Sequence, residues 1–311
     1  MRILGLSLTA CLLVGLTFGP LGGCNGDLAG MMPPDDKPPG KGDPGGGDPS
    51  GGDPGGGDPT NGDDGGTSGG SDGGTTSPTG FVHPGVLVDQ AQLDFVKGKV
   101  AAGVEPWKTA FADAKNSAAG QLSYTAHPVA VVQCGPYSMP DVGCTAEKSD
   151  AGAAYTHALL WYYGGDPAHA QKAIEIMDAW SGMLTSHTLS NAPLQSAWVA
   201  SVFPRAAEII RYTYTGWDPS KLARFSTMLK TVYLPETVHG SSSNGNWELS
   251  MIEATIDMAV FLDDRASFEA AVSLWKKRVP AYAYLSSDGA MPVSPTTGGT
   301  KSGSALTGYC R

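Results

Sequence analysis

Apolar residues recur at helical spacing along almost the whole chain after residue 80, and hardly at all between the N-terminal leader and that point. Asp89 to Val100 carries one amphipathic stretch. Pro106-Trp107-Lys108 opens the next with proline in the first turn, where its missing N–H costs nothing. A third helix is predicted from Asp150 to Tyr163, closed by Gly164-Gly165, and Pro167 opens a fourth whose Ala170, Ile174, Met177 and Leu184 share a face. A fifth runs from about Leu194 to Tyr214, with Pro204 inside it predicting a kink near Ala200. Asp218-Pro219 starts a sixth that ends by Leu234-Pro235. A seventh begins at Asn246, and Asp264 caps an eighth that carries Phe268, Val272 and Trp275. Only Val129-Ala130-Val131-Val132 reads as a strand. Helices joined by short turns and pairing as hairpins predict an all-α chain, an α/α toroid-like incomplete barrel. A solenoid would require a motif at fixed period, and the sequence has none. In a toroid the ends of the inner helices surround a cleft able to hold a polymer.

The polar remainder changes where this fold begins. Met1-Arg2, an apolar run from Ile3 to about Pro20 and Leu21-Gly22-Gly23-Cys24 form a secretory signal, not a membrane span. The cysteine after Leu-Gly-Gly resembles the bacterial lipoprotein processing site, which makes Cys24 the lipid-bearing residue. A periplasmic, outer-membrane or cell-surface protein touching the membrane through that anchor alone is expected. From Asn25 to about Thr79 the chain is Gly, Asp, Pro and Ser with near-repeats of Gly-Gly-Gly-Asp-Pro. Ordering it would bury nothing, so it is expected to be a disordered acidic tether. The domain reading is therefore 1–24 signal, 25–79 linker and 80–311 folded. Most of the 43 glycines and much of the net charge of -10 belong to or adjoin the tether, so acidity does not exclude an anionic ligand. No basic run interleaved with aromatics occurs, which excludes nucleic acid as a partner. A monomer is expected.

Secretion implies oxidising surroundings, so Cys134 and Cys144 are expected to pair across the loop between them, while Cys310 is left over. Zinc is the rival reading, but no Cys-x-x-Cys or paired-histidine spacing supports it, and neither a metal nor another cofactor is expected. Of the six histidines, His157 lies in the aromatic-rich run Tyr155 to Tyr163, and His239 lies in a loop shortly before Asn244.

One stretch is richer than its local structure needs. Ser243-Asn244-Gly245-Asn246-Trp247-Glu248-Leu249-Ser250 opens the seventh helix with two amides, an indole and a carboxylate. Either asparagine could cap the helix and the tryptophan could simply pack inward. Alternatively, an amide and an aromatic plate at a helix N-terminus suit an acidic sugar, whose ring stacks while its carboxylate meets the amide and the dipole. Gln195 and Trp198 repeat the amide-plus-indole pairing at the start of the fifth helix. Glu248, Glu253, Asp257 and Asp288 are available for a glycoside-hydrolase carboxylate pair, although nothing in the sequence sets two of them at the required separation.

His83-Pro84-Gly85-Val86-Leu87 with Glu105-Pro106-Trp107-Lys108 resembles the opening of secreted alginate lyase-family domains. So do Asp150-Ala151 with Ala153 to Tyr162, and Asn244 to Ser250; the resemblance spans nearly all of Phe81 to Pro292. It implies an α/α toroid that cleaves a uronic-acid polysaccharide by β-elimination. In that chemistry a neutral or cationic donor must neutralise the sugar carboxylate before the adjacent C5 proton becomes removable. The resemblance implies Asn246 as the carboxylate-binding amide, with Asn244 its alternative. Gln195, Trp198 and Trp247 would hold sugar rings. Read from the residues themselves, Glu248 lies near the cleft entrance, His157 is a core residue or a cleft-lining one, and His239, a departure from the family pattern shortly before the Asn motif, is the better-placed histidine and the catalytic candidate beside Asn246. Members of the family continue into further helices that carry a catalytic His, Arg and Tyr, and no position here matches that segment. A C-terminally truncated member is therefore expected, as an active lyase or as a non-catalytic polysaccharide-binding lipoprotein; a glycoside hydrolase is the third expectation.

Overall fold

The structure is a computed structural model that describes residues 74–241 and 245–282. The predicted signal with Cys24, nearly all of the tether, Asn244, Asp288 and Cys310 lie outside the described residues.

Strands β1 (Thr75–Thr76) and β2 (Val82–His83) pair antiparallel ahead of α1 (Gln90–Ala101). That helix starts where its polar signals place it. The Asp89 carboxylate accepts from the Gln92 N–H at 2.7 Å, and the Gln92 side chain accepts from the Asp89 N–H at 3.0 Å, a reciprocal capping box. Helix α2 (Trp107–Asn116), β3 (Val131–Cys134) and β4 (Asp141–Val142) lead into α3 (Cys144–Gly164). Helix α4 (Pro167–Ser181), β5 (Ser186–Thr188), α5 (Ala192–Ala200), α6 (Phe203–Thr213) and α7 (Pro219–Met228) follow. The described chain ends with α8 (Leu234–Thr237), α9 (Asn246–Phe261) and α10 (Arg265–Tyr282). The fold is all-α and toroid-like, with α3/α4 and α9/α10 as helical hairpins on short connections.

Helix α3 is the axis of the packing. Of its 21 residues, the run from Asp150 to Leu160 is buried on every side, with only Thr156 partly open, which explains why no single apolar stripe marks it. Ala151, Gly152, Ala153, Ala154 and Ala158 keep its surface low, so α1, α4, α5 and α6 all pack closely on it. It begins at Cys144, well before the expected start at Asp150. Asp150 is interior because its carboxylate is fully engaged. It accepts from the Tyr124 hydroxyl, the His127 N–H and the Trp180 indole N–H, each at 2.7 Å. A buried carboxylate held by that many donors is compatible with a helix interior.

Three further expectations shift. The fifth helix is two helices, because Pro204 cannot continue α5; it sits instead in the first turn of α6, after a break at Ser201-Val202. The sixth does not end cleanly at Leu234. Leu229–Tyr233 widens into a π-helical turn just ahead of Pro235, whose ring and missing N–H cannot satisfy a regular α ladder. The single expected strand is the centre of a small sheet of order β4-β3-β5. There β3 runs antiparallel to β4, with Gln133 opposite Val142, and parallel to β5, with Val132 opposite His187.

The segment before α1 is bolted to the far end of the fold. His83 Nδ1 lies 3.0 Å from both Glu208 carboxylate oxygens and its Nε2 lies 3.3 Å from Asp263. Its ring stacks on Tyr212 at 4.5 Å. Burial acts to lower the His83 pKa, but Glu208 and Asp263 together raise it above the ordinary value.

Candidate functional site at the start of helix α9

Helix α9 opens with Gly245 in the cap position at φ 72°, ψ −128°, a backbone that a residue with a Cβ does not adopt freely. The cap residue has no side chain, and Asn246 is the first helical residue after it. The Asn246 amide is exposed in the first turn, where helix N–H groups and the dipole favour an anion. Trp247 is half-buried and packs against the core.

Glu248 does not reach the surface. It is fully buried and lies 2.8 Å from Arg278 Nε on α10, which is equally buried. The pair ties the first turn of α9 to the last turns of α10. The loop that carries His239 closes over the same place. A Cβ on Gly240 would fall 2.7 Å from a Leu274 methyl and 3.5 Å from Glu248 Oε1. His239 itself is exposed. Asn246 and His239 are thus exposed neighbours in sequence of Glu248 and Gly240, the two residues that approach each other at the buried pair. Asn244, the other expected amide, lies outside the described residues.

Two other expected site residues belong to the interior. Gln195 is completely buried, and its amide N–H₂ donates to Glu147 Oε2 at 2.7 Å and to the Cys144 carbonyl at 2.9 Å. Glu147 Oε1 accepts from the Tyr233 hydroxyl at 2.6 Å and lies 2.8 Å from His187 Nε2. Burial, reinforced by Glu147, pushes the Tyr233 hydroxyl well above its ordinary pKa, so it remains a donor. This network joins α3, β5, α5 and the π-helical turn.

His157 is equally buried. Its Nδ1 lies 2.8 Å from His169 Nδ1, a contact in which one ring must donate and the other accept. Burial, then the neighbouring His169 and Lys172, hold the His157 pKa down to about 4. The physical reason for both corrections is the same. The stretches that carry Gln195 and His157 are enclosed by neighbouring helices, and one side-chain nitrogen of each found its partner inside.

Trp198 stays half-exposed, but one face of its ring carries the Lys148 ammonium, 5.0 Å from the centroid. Glu253 and Asp257 both bind Arg205, through its Nη2 at 2.5 Å and 3.0 Å. Burial pushes the Asp257 carboxyl up to about 7 against the pull of Arg205. Tyr155 adjoins this cluster with its hydroxyl buried and unpartnered, and burial raises it to about 12. Cys134 and Cys144 are joined by a disulfide. Among the described residues no group of three or more His, Cys, Asp or Glu side chains is placed to hold a metal, and no helix is long and apolar enough to cross a membrane.

Sequence reasoning missed Lys148, Arg278 and the Glu147 network. Glu147 did carry a signal: a carboxylate three residues before Asp150, on the same face of a helix otherwise made of small residues. The family model described as alginate lyase matches residues 141–293. No curated protein matches the chain, and no solved structure matches it.

Proposed function

Over residues 141–293 the chain belongs to the alginate lyase family, and on that premise we propose that it takes a uronic-acid polysaccharide at the α9 rim and cleaves it by β-elimination. Polysaccharide lyase activity is what the family supplies in general. The choice of an alginate-like polymer and the residue roles below are our reading.

The observation that carries it is the placement of Asn246, an exposed amide on the first turn of α9 behind a glycine cap. A sugar carboxylate docked there receives hydrogen bonds from the amide and the favourable end of the dipole. With that charge neutralised, the C5–H electron pair can spread onto the carboxylate as the proton leaves. The C4–O bond then breaks, C4=C5 forms, and the leaving oxygen takes a proton. His239, exposed on the adjoining loop, is the acceptor for the C5 proton on this rim. Trp247 lends the edge of its half-buried ring to the sugar. Glu248 and Arg278 act beneath the rim by fixing the α9 start. The Cys24 anchor and the tether of residues 25–79 would hold the domain at a periplasmic or outer surface, as a monomer reaching for its polymer.

The test is the rise in unsaturated-uronate absorbance when the protein meets alginate or glucuronan. Asn246→Ala should lower the rate by about 10²–10³-fold, the loss expected for removing one charge-stabilising donor. An unchanged rate in Asn246→Ala would remove the amide from the mechanism. Retention in alginate gels without any absorbance rise would favour the binding-only lipoprotein. Reducing ends formed without a double bond would indicate hydrolysis, a reading weakened here because Glu248, Glu253 and Asp257 are all held by arginines.

A further inference from the structure

We propose that the disulfide-closed turn between β3 and β4, together with the adjoining start of α3, forms an outer subsite for an anionic sugar unit, with Tyr137 as the stacking plate and Lys148 as the partner of the carboxylate. The inference rests on the uronan reading above and adds a second place of contact remote in sequence from Asn246.

Tyr137 is 91% exposed, an unusual position for a large ring in a tight, well-bonded turn. Its backbone is left-handed at φ 53°, and Ser138 follows at φ 56°. Side-chain-bearing residues populate that region at a cost, and two in succession would be replaced by glycine if the turn served stability alone. The turn is nevertheless rigidly closed. The Ser138 N–H donates to the Gly135 carbonyl at 2.8 Å and the Met139 N–H to the Pro136 carbonyl at 3.0 Å. Across its foot Cys134 faces Asp141 in the β3/β4 ladder and is bonded to Cys144. Gly135 leaves no room for adjustment, since a Cβ there would lie 2.0 Å from the Met139 carbonyl oxygen. The strain therefore holds the backbone so that the ring projects outward, with Met139 two residues on, itself 69% exposed. A pyranose offers its C–H face to such a ring.

The charge stands on the helix seated against the foot of this turn, where the Lys148 cation acts on the Asp141 carboxylate. Asp141 closes the turn by accepting from the Thr145 N–H at 3.1 Å and from the Thr145 hydroxyl at 2.5 Å, which seats the first turn of α3 against the loop. Lys148 is on the next turn. Its ammonium is held over the Trp198 ring and makes no ion pair within 4.0 Å among the described residues. In this arrangement Trp198 is a positioning residue: it fixes the cation that meets a sugar carboxylate. A uronate, with an apolar face and a carboxylate on one ring, matches this pairing of plate and cation.

The experiment is affinity electrophoresis of the full chain in gels containing alginate or a neutral glucan, with melting temperature recorded alongside. Tyr137→Gly should weaken retention by alginate about threefold to tenfold. The same variant should melt at or above the wild-type temperature, because glycine relieves the left-handed strain, so a folding defect cannot mimic the loss. Lys148→Gln should weaken alginate retention by a similar factor and flatten its salt dependence, leaving behaviour in the neutral gel unchanged. Wild-type retention in Tyr137→Gly and Lys148→Gln, with loss confined to Asn246→Ala, would overturn the subsite and leave the α9 rim standing. A wild-type chain that no uronan retains would overturn both.

Discussion

Glu147→Ala lowers the unfolding midpoint by roughly 10 °C, corresponding to about 3–5 kcal/mol. The Tyr233 hydroxyl, the Gln195 amide and His187 Nε2 all converge on its two carboxyl oxygens at 2.6–2.8 Å. All four residues are buried, so the alanine variant strands these donors with no water to replace the lost acceptor. Each stranded donor costs about 1–3 kcal/mol, softened by relaxation, and the missing side chain adds a cavity. Tyr233→Phe removes one donor and leaves the acceptor otherwise served, so it should cost only about 1 kcal/mol. Thermal and urea unfolding of both variants check the ordering. Equal midpoints for wild type and Glu147→Ala would show that the network carries no net stability. Lyase activity should fall in Glu147→Ala beyond its loss of folded protein. The π-helical turn that Tyr233 anchors leads through α8 directly into the loop of His239.

The contrast between Asn246 and Gln195 shows how far the sequence could be read. Both are amides near a tryptophan at a helix start, and composition gave no means of separating them. What draws Gln195 inward is a partner 48 residues away, Glu147, whereas Asn246 is relieved of capping by the residue next to it, Gly245. Helix identity was legible because propensity, proline placement and capping are local. The α1 capping box, proline in the first turns of α4 and α7, and the start of α9 at Asn246 all follow from neighbouring residues. The break at Ser201-Val202 was half-legible. Pro204 announces a disturbance, but whether a helix bends or restarts depends on what packs around it. Burial of α3 was hidden because a helix enclosed on every side has no polar face to reveal its orientation. That is why Asp150 resembled a helix start and why His157 resembled a cleft residue.

Acid should expose the His157–His169 contact as a weak point, most clearly in a difference measurement. An unfolded histidine takes a proton near pH 6.5, whereas buried His157 resists until about 4. The His169 pKa is also lowered, by burial first, with Lys115 acting in the same direction and Asp166 opposing. A folded pKa depressed in a histidine means that the unfolded chain binds more protons between the two values. The stability is therefore complete above the unfolded pKa and is lost as pH falls from about 6.5 towards 4. Two other groups must be kept apart from this effect. The raised His83 pKa contributes stability that is complete below 6.5 and is lost only as pH rises through its folded value. Asp257, raised by burial to about 7, gains relative stability as pH falls and so opposes the histidines in the same window. Comparison of wild type with His157→Gln cancels both, since the glutamine can still face His169 but does not titrate. At one pKa unit per about 1.4 kcal/mol, the stability gap between the two proteins should close by about 2–3 kcal/mol between pH 7 and pH 4.5. His157→Gln is thus the less stable protein at neutral pH and loses that disadvantage in acid. Urea unfolding at the two pH values measures the gap, and a gap that stays constant would mean that His157 titrates in the fold as it does in the unfolded chain.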